Sequence, residues 1–171
     1  GLVTTASSAL VVPTELTAQL AALFELTRAG GHALLLHGAV GSGKTMHARD
    51  MLARLPRKQF HTAAFGLHAT STAASASAAL AQSLVKRRKG VLGPPINKSA
   101  VIFVDDVNLP DDGGALGDAA GGVAVELLRD LVEHKAWHAS HGDSAQGPQL
   151  QQVEETLLIV ALCGRAAMKS V

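Results

Sequence analysis

The eight residues GAVGSGKT, at 38–45, limit what this chain can become more than any other segment. They fit G-x-x-x-x-G-K-[ST], and their surroundings fit as well. HALLLH (32–37) precedes them as a short apolar run suited to a buried strand. A helical pattern follows from about Lys44, with Ala48, Met51, Leu52 and Leu55 on one side and Pro56 as its stop. In a strand–loop–helix of this kind the backbone N–H groups converge on phosphate oxygens at the helix N-terminus. Gly38, Gly41 and Gly43 permit backbone shapes closed to other residues, and Ala39, Val40 and Ser42 complete the loop. Lys44 is expected to reach β- and γ-phosphates, and Thr45 to offer its hydroxyl to Mg²⁺.

A loop that holds a nucleoside triphosphate needs a carboxylate at the end of a neighbouring strand. VIFVDDVNLP (101–110) supplies one, since four apolar residues run directly into Asp105 and Asp106. Asp105 is placed to hold Mg²⁺ through its water. Asp106 then faces the γ-phosphate as a base or water-positioning group. Many ATPases of this type have Glu at the second position, and Asp is one methylene shorter.

The rest of the chain reads as alternating strands and helices. Pro13-Thr14 opens a helix that carries Leu16, Leu20, Leu23 and Phe24 on one face and ends at Gly30-Gly31. A second strand is expected within QFHTAAFGLHA (59–69), and a helix over 71–90, with basic residues at its end and Gly90 as its cap. GVLGPPINK (90–98) reads as a loop and SAVIFVDD (99–106) as a third strand. A flexible loop at 111–122 precedes a helix at 123–134 whose inner face includes Ala124, Leu127, Leu128 and Leu131. A polar loop at 140–149 and a fourth strand at 155–163 complete the pattern. Such alternation implies an α/β fold, a parallel sheet with helices on both faces.

With 171 residues and 47% hydrophobic content the chain has material for one sizeable core. A net charge of +1 gives no field that argues for nucleic acid or a membrane surface. No apolar run reaches the roughly 18 residues of a membrane helix. The start, GLVTTASSALVVP, lacks both the basic region of a signal peptide and an initiator Met, and the chain is expected to be an excised piece of something longer.

Five blocks, in order along the chain, resemble the third AAA+ module of a dynein heavy chain. Besides the phosphate loop they are VPTELT (12–17), KRRKGVLGPPINK (86–98), FVDDVNLP (103–110) and ELLRDLVEHKAW (126–137). The Asp105-Asp106 pair and the 86–95 loop resemble axonemal rather than cytoplasmic members. The resemblance implies a P-loop NTPase fold, the AAA+ large subdomain, three-layer α/β/α, with the small helical lid missing. Residues 1–171 would form one partial AAA+ P-loop domain. It implies ATP with Mg²⁺, hydrolysis with Asp106 and Lys44 in catalytic roles, and Val12, Pro13 and Thr14 near the adenine. Asn108, Leu109 and Pro110 would shape the exit from the strand. The implied partners are neighbouring AAA+ modules of the same heavy chain. Microtubules and the dynein intermediate and light chains would be reached through the full heavy chain. The implied location is the cytoskeleton of the cytoplasm, in a ciliary or flagellar axoneme. Two segments depart from the family pattern. ALGDAAGGVAV stands where the family has a Y-G-x-Q-P-like segment, and CGRAAMKSV where it continues G-P-P-G-G-G-R. Arg165 is the candidate for the γ-phosphate sensor.

Other features have plainer readings. His134, His138 and His141 are spaced for a metal only if all are helical, and a polar helix end running into a loop is favoured. The KRRK run reads as an electrostatic helix cap in preference to a phosphate-backbone site. His32 and His37 read as strand-end residues, Cys163 as a small core residue and Trp137 as a packing anchor. Three further functions stay open: a nucleotide-binding regulatory element without turnover, a different P-loop enzyme, and a copy that has lost its activity.

Overall fold

A computed structural model describes residues 11–109, 120–139 and 149–163, with only the backbone described at 120–124, 139 and 149. In chain order the elements are α1 (Glu15–Gly30), β1 (Leu34–Gly38), α2 (Lys44–Arg54), β2 (Phe60–Gly66), α3 (Ala73–Gln82), β3 (Val85–Arg88), β4 (Val91–Gly93), β5 (Ser99–Asp105), α4 (Ala120–His134), β6 (Ala136–Ala139), β7 (Gln149–Val153) and β8 (Thr156–Cys163).

The main sheet has the order β1-β8-β5-β2, and every pairing in it is parallel. Its two central strands are apolar on both faces, as a sheet covered on both sides requires. Val101 and Phe103 of β5, with Leu157, Ile159 and Ala161 of β8, pack with Phe24 of α1 and with Ala48, Met51 and Leu52 of α2. Ala100, Ile102, Val104 and Leu158 point the other way, into a cluster with Ala76 and Leu80 of α3 and Leu127, Leu128 and Leu131 of α4. The result is the expected three-layer α/β/α arrangement, with α1 and α2 on one face and α3 and α4 on the other.

Local chemistry sets the helix ends. Thr14 and Thr17 form a reciprocal cap at the start of α1, and Gly31, at φ 70°, closes it. Thr72 and Ser75 cap α3 in the same way. On α1 the buried face is narrower than the leucine pattern implies. Phe24 is buried and Leu20 half-buried, but Leu16 and Leu23 stay exposed.

The main departure from the sequence reading is a second, mixed sheet of order β3-β4-β7-β6. The helix expected over 71–90 stops at Gln82, where the Ser83 hydroxyl donates to the Ala79 carbonyl oxygen at 2.8 Å. Lys86, Arg87 and Arg88 then run along β3, and Gly90, at φ 72°, turns the chain into β4. Arg87 and Arg88 are ion-paired to Glu155 and Glu154, at 3.1 and 2.6 Å. The basic run is therefore a cross-sheet pairing edge and not a helix cap. Trp137 lies on β6, 1% exposed, and its Nε1–H donates to the buried Ser77 hydroxyl of α3 at 2.8 Å. It anchors the second sheet to the helical layer. His134 ends α4 and His138 sits on β6, so the helical spacing between them is absent, while His141 lies outside the described residues. Among the described residues no group of His, Cys, Asp and Glu is arranged to hold a metal on its own, and no helix is long and apolar enough to cross a membrane.

Candidate functional site

The C-terminal ends of β1, β5 and β8 lie side by side, because β8 is paired to both of the others. This register brings 38–45 and 105–106 together from opposite parts of the sequence. Thr45 and Asp105 meet directly, with the Thr45 hydroxyl donating to Asp105 Oδ2 at 2.6 Å. Both are half-buried, so the bond is partly shielded from water.

The loop between β1 and α2 has the geometry of a cradle. Gly41 and Gly43 hold φ of 79° and 83°, in the left-handed region, and Gly43 is the N-cap of α2 with no side chain in the way of the N–H groups. Gly38 lies close under the Ser42 side chain. A Cβ there would come within 2.9 Å of the Ser42 Oγ. Lys44 Nζ donates to the carbonyl oxygens of Gly38 and Ala39, at 2.9 and 2.7 Å, and lies 3.4 Å from Ser42 Oγ. The ammonium is thereby held over the mouth of the loop. Ala39 and Val40 form its exposed outer rim.

Asp105 is fixed twice. One carboxylate oxygen takes the Thr45 bond, and the other accepts the backbone N–H of Asp106 at 3.0 Å. Asp106 itself is half-buried and adopts φ 54°, a conformation that Asp tolerates better than most residues. Strand β5 ends at Asp105, and the turn begins at Asp106.

Pro13 and Thr14 line a cavity of about 190 Å³ together with His47 and Asp50 of α2. The Thr14 hydroxyl is engaged as the α1 cap, and Val12 is exposed. A larger cavity, about 370 Å³, opens at the opposite end of the main sheet and includes none of the candidate residues. Arg165 and Pro110 lie outside the described residues.

The sequence reading gave Asn108 a place in the exit from the strand but not its partner. The Asn108 side chain makes two hydrogen bonds to the backbone of Cys163. Only the topology, which sets the end of β8 beside the end of β5, makes that contact visible.

The family model described as "P-loop containing dynein motor region" matches residues 3–170. The chain belongs to that family. The dynein motor region in hand is 33% identical over 130 residues to dynein axonemal heavy chain 12 of Homo sapiens, covering 75% of this chain and 4% of that protein. It is 32% identical over 130 residues to dynein axonemal heavy chain 3 of Mus musculus, covering 76% of this chain and 3% of that one. The chain thus spans only a few per cent of the length of the relatives it matches. NtrX from Brucella abortus, solved in complex with ADP, aligns over 93% of this chain and 32% of its own at 16% identity, with a TM-score of 0.48. The P-loop fold of this dynein motor region rests instead on its own strand order and loop and on the family match.

Proposed function

We propose that this dynein motor region binds ATP with Mg²⁺ and works as the third AAA+ module of an axonemal dynein heavy chain. The observation that carries the nucleotide reading is the 2.6 Å bond between Thr45 and Asp105. It sets a hydroxyl and a carboxylate, both hard oxygen donors, at the foot of a glycine loop, which is the donor chemistry that Mg²⁺ prefers. The donor set therefore fits the metal. Thr45 would bind it directly and Asp105 through water, and the bound ion would neutralise charge between the β- and γ-phosphates.

The loop's N–H groups, from Gly38 to Thr45, would hold the phosphates against the N-terminus of α2. Lys44 would exchange its carbonyl partners for phosphate oxygens, a short movement since its ammonium already lies over the loop. Asp106 would orient water toward the γ-phosphate and accept its proton. Pro13 and Thr14, on the wall shared with α2, would stand near the base. The assignment to an axonemal third module is supported by the relatives' names and by the resemblance of the five sequence blocks. In a complete heavy chain the module would lie among neighbouring AAA+ modules, gate microtubule affinity, and act in a ciliary or flagellar axoneme with intermediate and light chains.

Calorimetric titration with ATP, with and without Mg²⁺, tests the reading against a Lys44→Ala control. Mg²⁺-dependent binding that is lost in the control is the expected result. Binding that Lys44→Ala leaves unchanged would remove the phosphate-loop assignment.

A second reading, nucleotide binding without turnover, is favoured by the short side chain of Asp106 on a backbone held at φ 54°. Asp106→Asn separates the two. Phosphate release that falls in the variant supports hydrolysis, and release that is absent from the wild type under ATP-saturated conditions supports the regulatory reading.

A further inference from the structure

We propose that Asn108 is a positioning residue for the carboxylate turn, a role that rests on the nucleotide reading above. The β5–β8 ladder has its last paired residues at Val104 and Val160. Past that point β5 has turned away at Asp106, yet β8 continues to Cys163. Asn108 fills the gap. Its Nδ2 donates to the Cys163 carbonyl oxygen at 2.9 Å, and its Oδ1 accepts the Cys163 N–H at 2.8 Å. The primary amide behaves as a substitute peptide group and satisfies both polar groups of one residue of β8. The Val107 N–H adds a bond to the Ala161 carbonyl oxygen at 3.1 Å, and the Leu109 N–H closes the turn on the Asp106 carbonyl oxygen at 2.9 Å.

On its other side Cys163 is the register partner of Gly38, the first residue of the phosphate loop. The path is therefore continuous, from Gly38 across β8 at Cys163 to Asn108, and from there two residues back to Asp106. The turn that carries Asp106 is tied by the Asn108 side chain to β8, which is paired in turn with the strand that leads into the loop. Asn108 touches neither phosphate nor metal in this arrangement. Its effect is to fix the separation between the two halves of the site. The chemistry is selective, because the amide presents a donor and an acceptor side by side, whereas Asp keeps only acceptors and Ala offers neither.

The test compares the 171-residue chain with Asn108→Ala and Asn108→Asp. ATP affinity is measured with and without Mg²⁺, and amide hydrogen exchange is measured at Asp106, Val107 and Cys163. Asn108 is exposed, so both variants should keep the wild-type circular dichroism. The expected result is a roughly tenfold smaller gain in affinity on adding Mg²⁺, the scale of one or two lost hydrogen bonds. Affinity without Mg²⁺ should stay near wild type, and exchange at the three amides should quicken, at Cys163 more in Asn108→Ala than in Asn108→Asp, which keeps an acceptor for that N–H. Equal losses with and without Mg²⁺ would mean a general structural role and overturn the proposal. So would variants that keep both the Mg²⁺-linked gain and the slow exchange. A wild-type chain that binds no ATP would overturn the nucleotide reading itself; a wild-type chain with the gain, beside variants that keep it, overturns only the role of Asn108.

Discussion

At the scale of single residues, the phosphate loop contains a close approach that an added atom would disturb. That approach is at Gly38. An alanine there would set its Cβ 2.9 Å from the Ser42 Oγ, closer than real Cβ contacts come. Gly38→Ala should therefore displace the Ser42 side chain and weaken ATP binding, with little change in unfolding midpoint, since the displaced group lies on the exposed loop. Ser42→Gly removes the obstructing atom. The double variant should recover most of the lost affinity, and a titration series over the four proteins measures the coupling. Independent, additive losses would show that the contact is not the cause. Thr45 gives a second prediction at this scale. Thr45→Val removes the hydroxyl that bonds Asp105 and should cut the Mg²⁺-linked gain in affinity, while Thr45→Ser should keep it. Equal affinities in the two variants with Mg²⁺ present would exclude the hydroxyl as a metal ligand.

At the scale of elements, Trp137 and Ser77 hold the second sheet to α3. Trp137→Phe keeps most of the packing but leaves the buried Ser77 hydroxyl without its 2.8 Å partner. Urea unfolding should show a loss of about 1–3 kcal/mol, the cost of a buried polar group left unsatisfied. Adding Ser77→Ala should return part of it, because both polar groups are then gone. These elements also mark the limit of what the sequence discloses. The main sheet was legible because β5 and β8 are apolar runs buried on both faces, and because the phosphate loop fixes a strand before it and a helix after it. Asp105 and Thr45 were legible for the same reason, one at a strand end and one at a helix start. The second sheet was not. Its strands span three to five residues, β3 is exposed along its whole length, and its stabilising partners, Glu154 and Glu155, lie more than sixty residues away. A run of Lys and Arg after an alanine-rich helix carries no local signal that it will pair with carboxylates so remote. The α1 leucines misled for a related reason. Periodicity identifies an apolar stripe, but whether the stripe is covered depends on what else packs beside it, and here Leu16 and Leu23 lie outside the covered zone.

At the scale of the whole molecule, the candidate site and the second sheet lie at opposite ends of the main sheet. The candidate site gathers where β1, β5 and β8 end, whereas the second sheet joins β8 at its start, through Glu154 and Glu155. Changes at the two ends should then have separable effects. Arg88→Ala removes a surface ion pair with Glu154, one whose partners are both well exposed. Such a pair contributes about 0–1 kcal/mol, so the variant should unfold slightly earlier and bind ATP with Mg²⁺ as the wild type does. Lys44→Ala should behave in the opposite way. Without ligand its melting midpoint should match the wild type, since the Lys44 bonds are made to loop carbonyls at the surface and not to the core. With ligand the wild type should gain about 2.7 kcal/mol at a hundredfold excess over Kd, because only the folded chain binds, and Lys44→Ala should gain nothing. Melting curves of the three proteins, each with and without ATP and Mg²⁺, decide the matter. A ligand-induced rise in Lys44→Ala would mean that nucleotide is held away from the loop. A lost rise in Arg88→Ala would mean that the second sheet communicates with the site across the full length of β8.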